Sequence, residues 1–259
     1  MAPWSAHRQR ASMEGVVRSR TPKTKQRGLL AAAAAAAATA ATWAVRDYRS
    51  WRALGPGGLP PHPGGWLVTT GLRALGRNPL RVRHPDADPE RSALRALPPR
   101  TGTRPRVSKH PVPHRVLDQR RSAALTETLR SLLDEYGTKS PLLEHRTSQW
   151  EKHHQAVCLR SSDYPDEIAR AAGGEIAHLH PSDGSMHVVL GPADAQRVLD
   201  RGWGELHPLA GVRRVIGLPP TYVLVYPPRD VSDLAPIHAI LTAAVRHMTD
   251  RASTRRMAL

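Results

Sequence analysis

The feature that most restricts the fold of this chain is residues 175–190, in which two alternating runs flank a turn. The turn at 181–184 reads Pro-Ser-Asp-Gly, and these are residue types that tight turns prefer. A four-residue connection between two such runs predicts an antiparallel β-hairpin. If His180 pairs with Ser185, then His178 pairs with His187, because the turn sets the register of the two strands.

Side chains alternate between the two faces of a strand, so this register divides the hairpin into two surfaces. One surface is entirely apolar and is predicted to face the core: Ala177, Leu179, Met186, Val188 and Leu190. The other carries three imidazoles together with smaller side chains: Ile176, His178, His180, Ser185, His187 and Val189. The hairpin therefore predicts a one-sided cluster of three histidines.

Three imidazoles on one strand face are compatible with three interpretations. Imidazoles titrate near neutral pH, so such a group can act as base and acid. Their neutral nitrogens can also hold a metal ion. In a chain with 14 histidines, the face can equally be a solvent-exposed surface without a chemical role.

A second group of candidate site residues lies in the glycine-rich stretch 202–211. Glycines on both sides of Trp203 allow a close approach of the backbone to a ligand, and Pro208 holds His207 in an extended conformation. We predict that this loop adds His207 to the imidazoles, and that Trp203 and Gly204 contact a substrate. A structural turn with a buried tryptophan is the alternative.

The other elements indicate an α+β domain, an antiparallel β-sheet with flanking helices. Thr221–Tyr226 is β-branched and aromatic, which favours a buried strand, and Tyr226 and Arg229 at its end are further substrate-binding candidates. Arg229 would clamp an anionic group or make a surface ion pair. The remaining predicted elements are a strand at Gln155–Leu159 and helices at Leu117–Tyr136 (ended by Gly137), Tyr164–Ala172, Pro192–Arg201 and Asp233–Asp250.

The N-terminal region predicts a membrane anchor. Residues 28–45 carry no charge and include an unbroken alanine run from Ala31 to Ala38. Eighteen helical residues extend about 27 Å, enough for a thin bilayer. We therefore expect a single-pass Ala-rich transmembrane helix at 28–46; a cleaved signal peptide, an organelle presequence and an exposed helix are the alternatives.

The charge distribution divides the chain into regions and argues against nucleic-acid binding. Residues 1–120 contain 22 Lys or Arg against 6 Asp or Glu, whereas residues 121–259 contain 16 of each. The basic excess lies outside the region expected to fold, so no nucleic-acid partner is expected.

The predicted regions are a basic disordered tail (1–27), the anchor (28–46), a Pro/Gly/Arg-rich linker with peripheral segments (47–115), a catalytic domain (116–252) and a disordered tail (253–259).

Several segments resemble the fungal luciferases and their wider luciferase-like family. They are Glu-Ile-Ala-His-Leu-His (175–180), Met-His (186–187), Gly-Trp-Gly-Glu-Leu-His-Pro-Leu-Ala-Gly (202–211), Pro-Pro-Thr-Tyr (219–222), Tyr-Pro-Pro-Arg-Asp (226–230) and His-Met-Thr-Asp (247–250). The resemblance implies an N-terminal membrane helix. It also implies an oxygenase that oxidises a 3-hydroxypyrone with O2, without flavin or metal. The turn between the two histidine strands is shorter here and lacks an additional histidine, which would line a different pocket.

Chemistry suggests roles for these residues on a small enolic substrate. His178 or His187 would remove the enol proton, and His180 and His207 would be hydrogen-bonding or cationic partners. Trp203 would stack on the substrate, and Arg229 would stabilise an oxyanion. O2 would be the only co-substrate. Light emission is not expected as the physiological role, because the family includes proteins from organisms that do not glow. A metal-dependent enzyme and a non-catalytic module that binds a small aromatic ligand are the alternatives.

Overall fold

A computed structural model describes residues 22–119, 122–162, 164–212 and 217–256 of the chain. The chain divides into two compact units between Asp47 and Tyr48. The predicted N-terminal tail falls mostly on residues 1–21, which lie outside the described residues, as do residues 257–259 of the predicted C-terminal tail. Residues 253–256 continue the last helix.

The N-terminal apolar helix is present and is longer than predicted. Helix α1 extends over Pro22–Arg52, and its part from Gln26 onwards is long and apolar enough to cross a membrane. None of its most apolar 18-residue window is buried. Alanine is the best helix former, which explains why a run of alanines sustains a long helix without tertiary support.

The second unit contains one six-stranded antiparallel sheet, which confirms the predicted α+β architecture. The strand order is β1-β2-β3-β4-β6-β5, so consecutive strands are mostly neighbours. The strands are β1 Leu143–Thr147, β2 Gln155–Leu159, β3 Glu175–Leu179, β4 Met186–Val189, β5 Gly204–Leu206 and β6 Tyr222–Val225. The further helices are α2 Pro63–Leu72, α3 Ala123–Lys139, α4 Glu167–Ala171, α5 Pro192–Asp200 and α6 Leu234–Arg256.

Helix α3 differs from its prediction at both ends. It begins at Ala123, because the side chain of Ser122 accepts a hydrogen bond from the amide of Leu125 and caps it there. It continues through Gly137, which was predicted to stop it. A Cβ at Gly137 would lie 2.3 Å from Nε2 of His145 on β1, so this glycine serves the packing of the helix on the sheet.

The hairpin of β3 and β4 has the predicted register. His178 lies opposite His187, Leu179 lies opposite Met186, and the amide of His180 donates to the carbonyl of Ser185 at 2.8 Å. One irregularity was not predicted. Val157 pairs with Ala177 but Cys158 pairs with Glu175, so β3 contains an extra residue. This bulge turns Glu175 to the same face as His178, whereas a regular strand would place them on opposite faces.

Residues 48–115, predicted as linker and peripheral segments, belong to the same compact unit as the sheet. Val82, Leu94 and Leu97 are buried in the main hydrophobic core. The Trp51 indole donates to the carbonyl of Val112 at 2.8 Å. Val82, Leu94 and Leu97 lie outside the helices and strands, and for that reason no periodic pattern revealed them.

Candidate active site

The structure brings the three hairpin histidines together in the protein interior. Nε2 of His178 lies 3.2 Å from Nε2 of His180 and 3.4 Å from Nδ1 of His187. All three side chains are buried, with at most 2% of their surface exposed. The interpretation of this face as a solvent-exposed surface is therefore excluded, because other segments cover it.

Two carboxylates orient the outer nitrogens of this cluster. Glu175 accepts a 2.6 Å hydrogen bond from Nδ1 of His178, and it also accepts from the Ser148 hydroxyl and the Gln149 amide. Nδ1 of His180 lies 2.8 Å from the hydroxyl of Ser185, which donates to Asp183 at 2.8 Å. The second ring nitrogen of each histidine therefore points into the cluster.

Burial determines the charge state of this group. Removal from water lowers the pKa of His180 and the pKa of His187 well below the ordinary value, and neighbouring charges act in the same direction. Both imidazoles are therefore neutral at neutral pH. Neutral imidazoles suit a base or a metal ligand and do not suit the cationic role suggested for His180.

His207 also reaches this region, but both of its nitrogens are engaged. Nε2 lies 2.8 Å from the carbonyl of Pro111 and donates to it, and Nδ1 accepts from the Leu209 amide at 3.1 Å. Burial lowers the pKa of His207 as well. We conclude that His207 is neutral and positions the segment around Pro111 rather than exchanging protons.

Three further charged or titratable residues complete the cluster, and the sequence patterns did not reveal them. Nδ1 of His114 lies 3.3 Å from Nε2 of His187. Arg115 and Glu151 form a buried bidentate pair at 2.7 and 3.1 Å, and Glu151 Oε1 lies 3.9 Å from Nε2 of His180. Burial alone would raise the pKa of Glu151, but the adjacent Arg115 holds it below its ordinary value. Glu151 is therefore a carboxylate.

An apolar cavity of about 280 Å³ opens beside the cluster. Its polar wall contains Glu151, His187 and His207, and Tyr222 stacks on His187 at 4.5 Å between ring centroids. The Trp150 ring packs against Tyr222 at 4.7 Å and extends the aromatic wall. The volume suits a small ring compound, since ligand sites typically start near 300 Å³. Its apolar wall includes Leu59, Val68, Leu72 and Leu218.

The four predicted substrate-binding residues are not among the described residues that line this cavity. The indole of Trp203 donates to the carbonyl of Pro98 at 2.7 Å, which makes it a buried structural residue. A Cβ at Gly204 would lie 2.5 Å from the carbonyl oxygen of Leu224, so this glycine permits the pairing of β5 with β6. Trp150 and Tyr222 take the place expected for Trp203.

Arg229 and Tyr226 are also placed elsewhere. Arg229 donates to Asp233 at 2.7 and 2.8 Å, the ion pair that was its alternative interpretation. The Tyr226 hydroxyl donates to Glu205 at 2.8 Å, and Glu205 lies 3.6 Å from Nε2 of His114. Tyr226 therefore supports the cluster indirectly, behind His114.

Comparisons with known proteins agree with the site's location. A Luciferase domain profile matches residues 173–244, which include the hairpin, the Trp203 loop and the first part of α6. The luciferase of Armillaria mellea is 31% identical over 221 residues, covering 79% of this chain and 81% of the relative. The luciferase of Neonothopanus nambi is 29% identical over 225 residues with the same coverage. No solved structure gives a significant match.

The similarity to these luciferases thus extends well beyond the profile match and takes in about four-fifths of the chain. An identity of 31% maintained over four-fifths of a relative reflects a shared fold and common ancestry. The chain belongs to the fungal luciferase-like family.

Proposed function

We propose that this protein oxidises a small planar enolic substrate of the hydroxypyrone type with O2. The observation that carries the proposal is the apolar cavity whose polar wall includes His187, the member of the buried histidine cluster that lines it. The aromatic wall of Trp150 and Tyr222 suits a flat ring. His187 places the cluster in contact with whatever occupies the cavity.

The reaction requires an electron-rich substrate. Transfer of the enol proton to the imidazole of His187 breaks the O–H bond, and the electron pair remains on the substrate, delocalised between oxygen and the adjacent carbon. That carbon can then reduce O2 and become oxidised, so no flavin or nicotinamide is needed as a source of electrons. The exclusion of water by the apolar walls strengthens electrostatic interactions with the developing negative charge.

Oxygen uptake by the full-length protein in detergent tests this proposal. We expect uptake with 3-hydroxypyrones, accompanied by release of CO2, and none with the corresponding 3-methoxypyrones, which lack the enol proton. The methoxy compound is a matched control because it keeps the ring and its shape. Tight binding of hydroxypyrones without oxygen uptake would contradict catalysis and favour a binding module instead.

We also propose that α1 anchors the protein in a membrane as a single-pass helix. Its length and composition support this, and the same features are found in signal sequences. Arginine at the centre of a membrane helix costs about 2.5–3.5 kcal/mol. The double substitution Ala35→Arg, Ala36→Arg is therefore expected to move the protein from the carbonate-resistant membrane fraction to the soluble fraction.

The corresponding Ala35→Leu, Ala36→Leu variant is the control, and it should remain in the membrane. Intact mass spectrometry of the membrane-bound protein separates the two interpretations of this helix. Full mass supports the anchor, and a mass lacking the N-terminal region would show a cleaved signal sequence.

A further inference from the structure

We infer that His178, His180, His187 and Glu151 form a binding site for one divalent first-row transition metal ion. One ligand atom from each residue lies within 4.8 Å of all the others, and all four residues are buried. This inference deepens the proposed function and rests on it for the role of the ion, because the site adjoins the same cavity.

The spacing of the nitrogens matches a coordination sphere. Nε2 of His178 lies 3.2 Å from Nε2 of His180 and 3.4 Å from Nδ1 of His187. Metal–imidazole bonds are about 2.0–2.1 Å long, so a tetrahedral ion has ligand atoms about 3.3–3.4 Å apart. The His178 nitrogen therefore already lies at ligand–ligand distance from the other two imidazoles, and Glu151, whose Oε1 lies 3.9 Å from Nε2 of His180, would move closer on binding.

The outer hydrogen bonds leave the inner ring nitrogens facing one another. Nδ1 of His178 donates to Glu175, so Nε2 of His178 faces the other imidazoles. Nδ1 of His180 donates to the Ser185 hydroxyl, which itself donates to Asp183, so Nε2 of His180 faces the same space. The two Nε2 atoms lie 3.2 Å apart, close enough for one ion to bind both.

Each candidate ligand is oriented by an outer partner, as metal-bound histidines usually are. Glu175 orients His178, and Ser185 with Asp183 orients His180. When Nδ1 of His187 binds an ion, Nε2 of His187 carries the ring proton. Nδ1 of His114 lies 3.3 Å from that Nε2 atom and can accept the hydrogen bond. Arg115 holds the carboxylate of Glu151 beside the imidazoles.

The donor set and the position of the site indicate the kind of ion and its use. Three imidazoles and one carboxylate suit iron, cobalt, zinc or manganese, whereas calcium and magnesium prefer oxygen ligands throughout. Both Glu151 and His187 also line the cavity, so an enol oxygen of the substrate would reach the ion there. Coordination lowers the pKa of such a hydroxyl group and favours the enolate.

An ion bound in this way occupies the nitrogens that metal-free chemistry needs as proton acceptors. The metal site and the metal-free reaction implied by the family resemblance are therefore alternatives, and metal analysis separates them.

A cobalt(II) titration gives a readout that does not depend on activity, because nitrogen- and carboxylate-bound Co²⁺ absorbs visible light with intensities that report its geometry.

The experiment uses chelator-treated full-length protein in detergent. We expect one equivalent of Co²⁺ to bind with visible absorption bands of tetrahedral or five-coordinate intensity. His180→Gln is expected to weaken binding by more than about 100-fold. His154→Gln is the matched control and should keep the bands, because the ring of His154 lies 6.1 Å from that of His180 and is not part of the donor group.

Folded wild-type protein that binds no stoichiometric Co²⁺ would overturn the inference, and this outcome does not depend on the folding of any variant. Full oxygen uptake by metal-free protein would overturn the role inferred for the ion in the reaction while leaving the proposed function intact. Stoichiometric binding that His180→Gln abolishes, in a protein that never consumes oxygen, would instead support the metal site and contradict the proposed oxidation.

Discussion

The His187→Gln variant is expected to lose about 100- to 10,000-fold of its oxygen uptake with a hydroxypyrone, the range for removing a group that assists proton transfer. Among the three hairpin histidines, His187 is the one found among the described residues that line the cavity. It touches Nε2 of His178 on one side and the ring of Tyr222 on the other. Loss of its imidazole therefore removes the contact between cluster and substrate.

Glutamine is chosen because it fills most of the volume of the ring and limits the cavity that alanine would leave. The measurement is the initial rate of oxygen uptake, with circular dichroism to verify the fold. His154→Gln again serves as the control, since that histidine lies at the edge of the cluster, and it should keep nearly the wild-type rate. Normal turnover by folded His187→Gln would exclude the hairpin histidines from the reaction.

The Arg115→Met variant is expected to lower the free energy of unfolding by about 3–5 kcal/mol, the usual cost of leaving one member of a buried ion pair alone. Arg115 is 2% exposed and Glu151 is 5% exposed, so the orphaned carboxylate would have little access to water. The same guanidinium donates to the carbonyls of His114 and Pro56, which fastens two covering segments over the cluster.

Chemical denaturation in the presence of chelator measures this effect without a contribution from bound metal. The matched control is Lys139→Met, which breaks the exposed pair of Lys139 with Glu135 and should leave the free energy of unfolding nearly unchanged, because solvent screens exposed ion pairs. The double variant Arg115→Met, Glu151→Gln should recover part of the lost free energy of unfolding, because it removes the buried carboxylate of this pair as well as its guanidinium. A loss in Arg115→Met no larger than that in the control would show that the pair does not stabilise the fold.

Much of the local structure could be predicted from short stretches of sequence. The 181–184 turn and the alternating residues on either side were enough to pair His178 with His187, because hairpin register depends on neighbouring residues. The strand at Gln155–Leu159 and the apolar N-terminal helix were found in the same way. Predictions from local patterns were wrong where contacts with a distant part of the chain determine the residue. Gly137, for example, makes room for the His145 ring and does not end a helix.

The walls of the site could not be predicted in this way. Trp203 and Tyr226 had the expected residue types, but each of their polar groups is bound to a partner away from the cavity. Trp150 and Tyr222 occupy the wall instead. Glu175 reaches His178 only because β3 contains a bulge, which no alternation pattern would indicate.

The amino-acid sequence by itself determined that three imidazoles would share one face of a hairpin, since strand alternation and turn chemistry act over about ten residues. Only the tertiary structure decided that this face is buried and that His114, Arg115 and Glu151 complete it. His114 is 73 positions from His187 along the chain, and it comes from an irregular segment without periodicity. Such contacts depend on how remote loops pack together, and no local pattern encodes that packing.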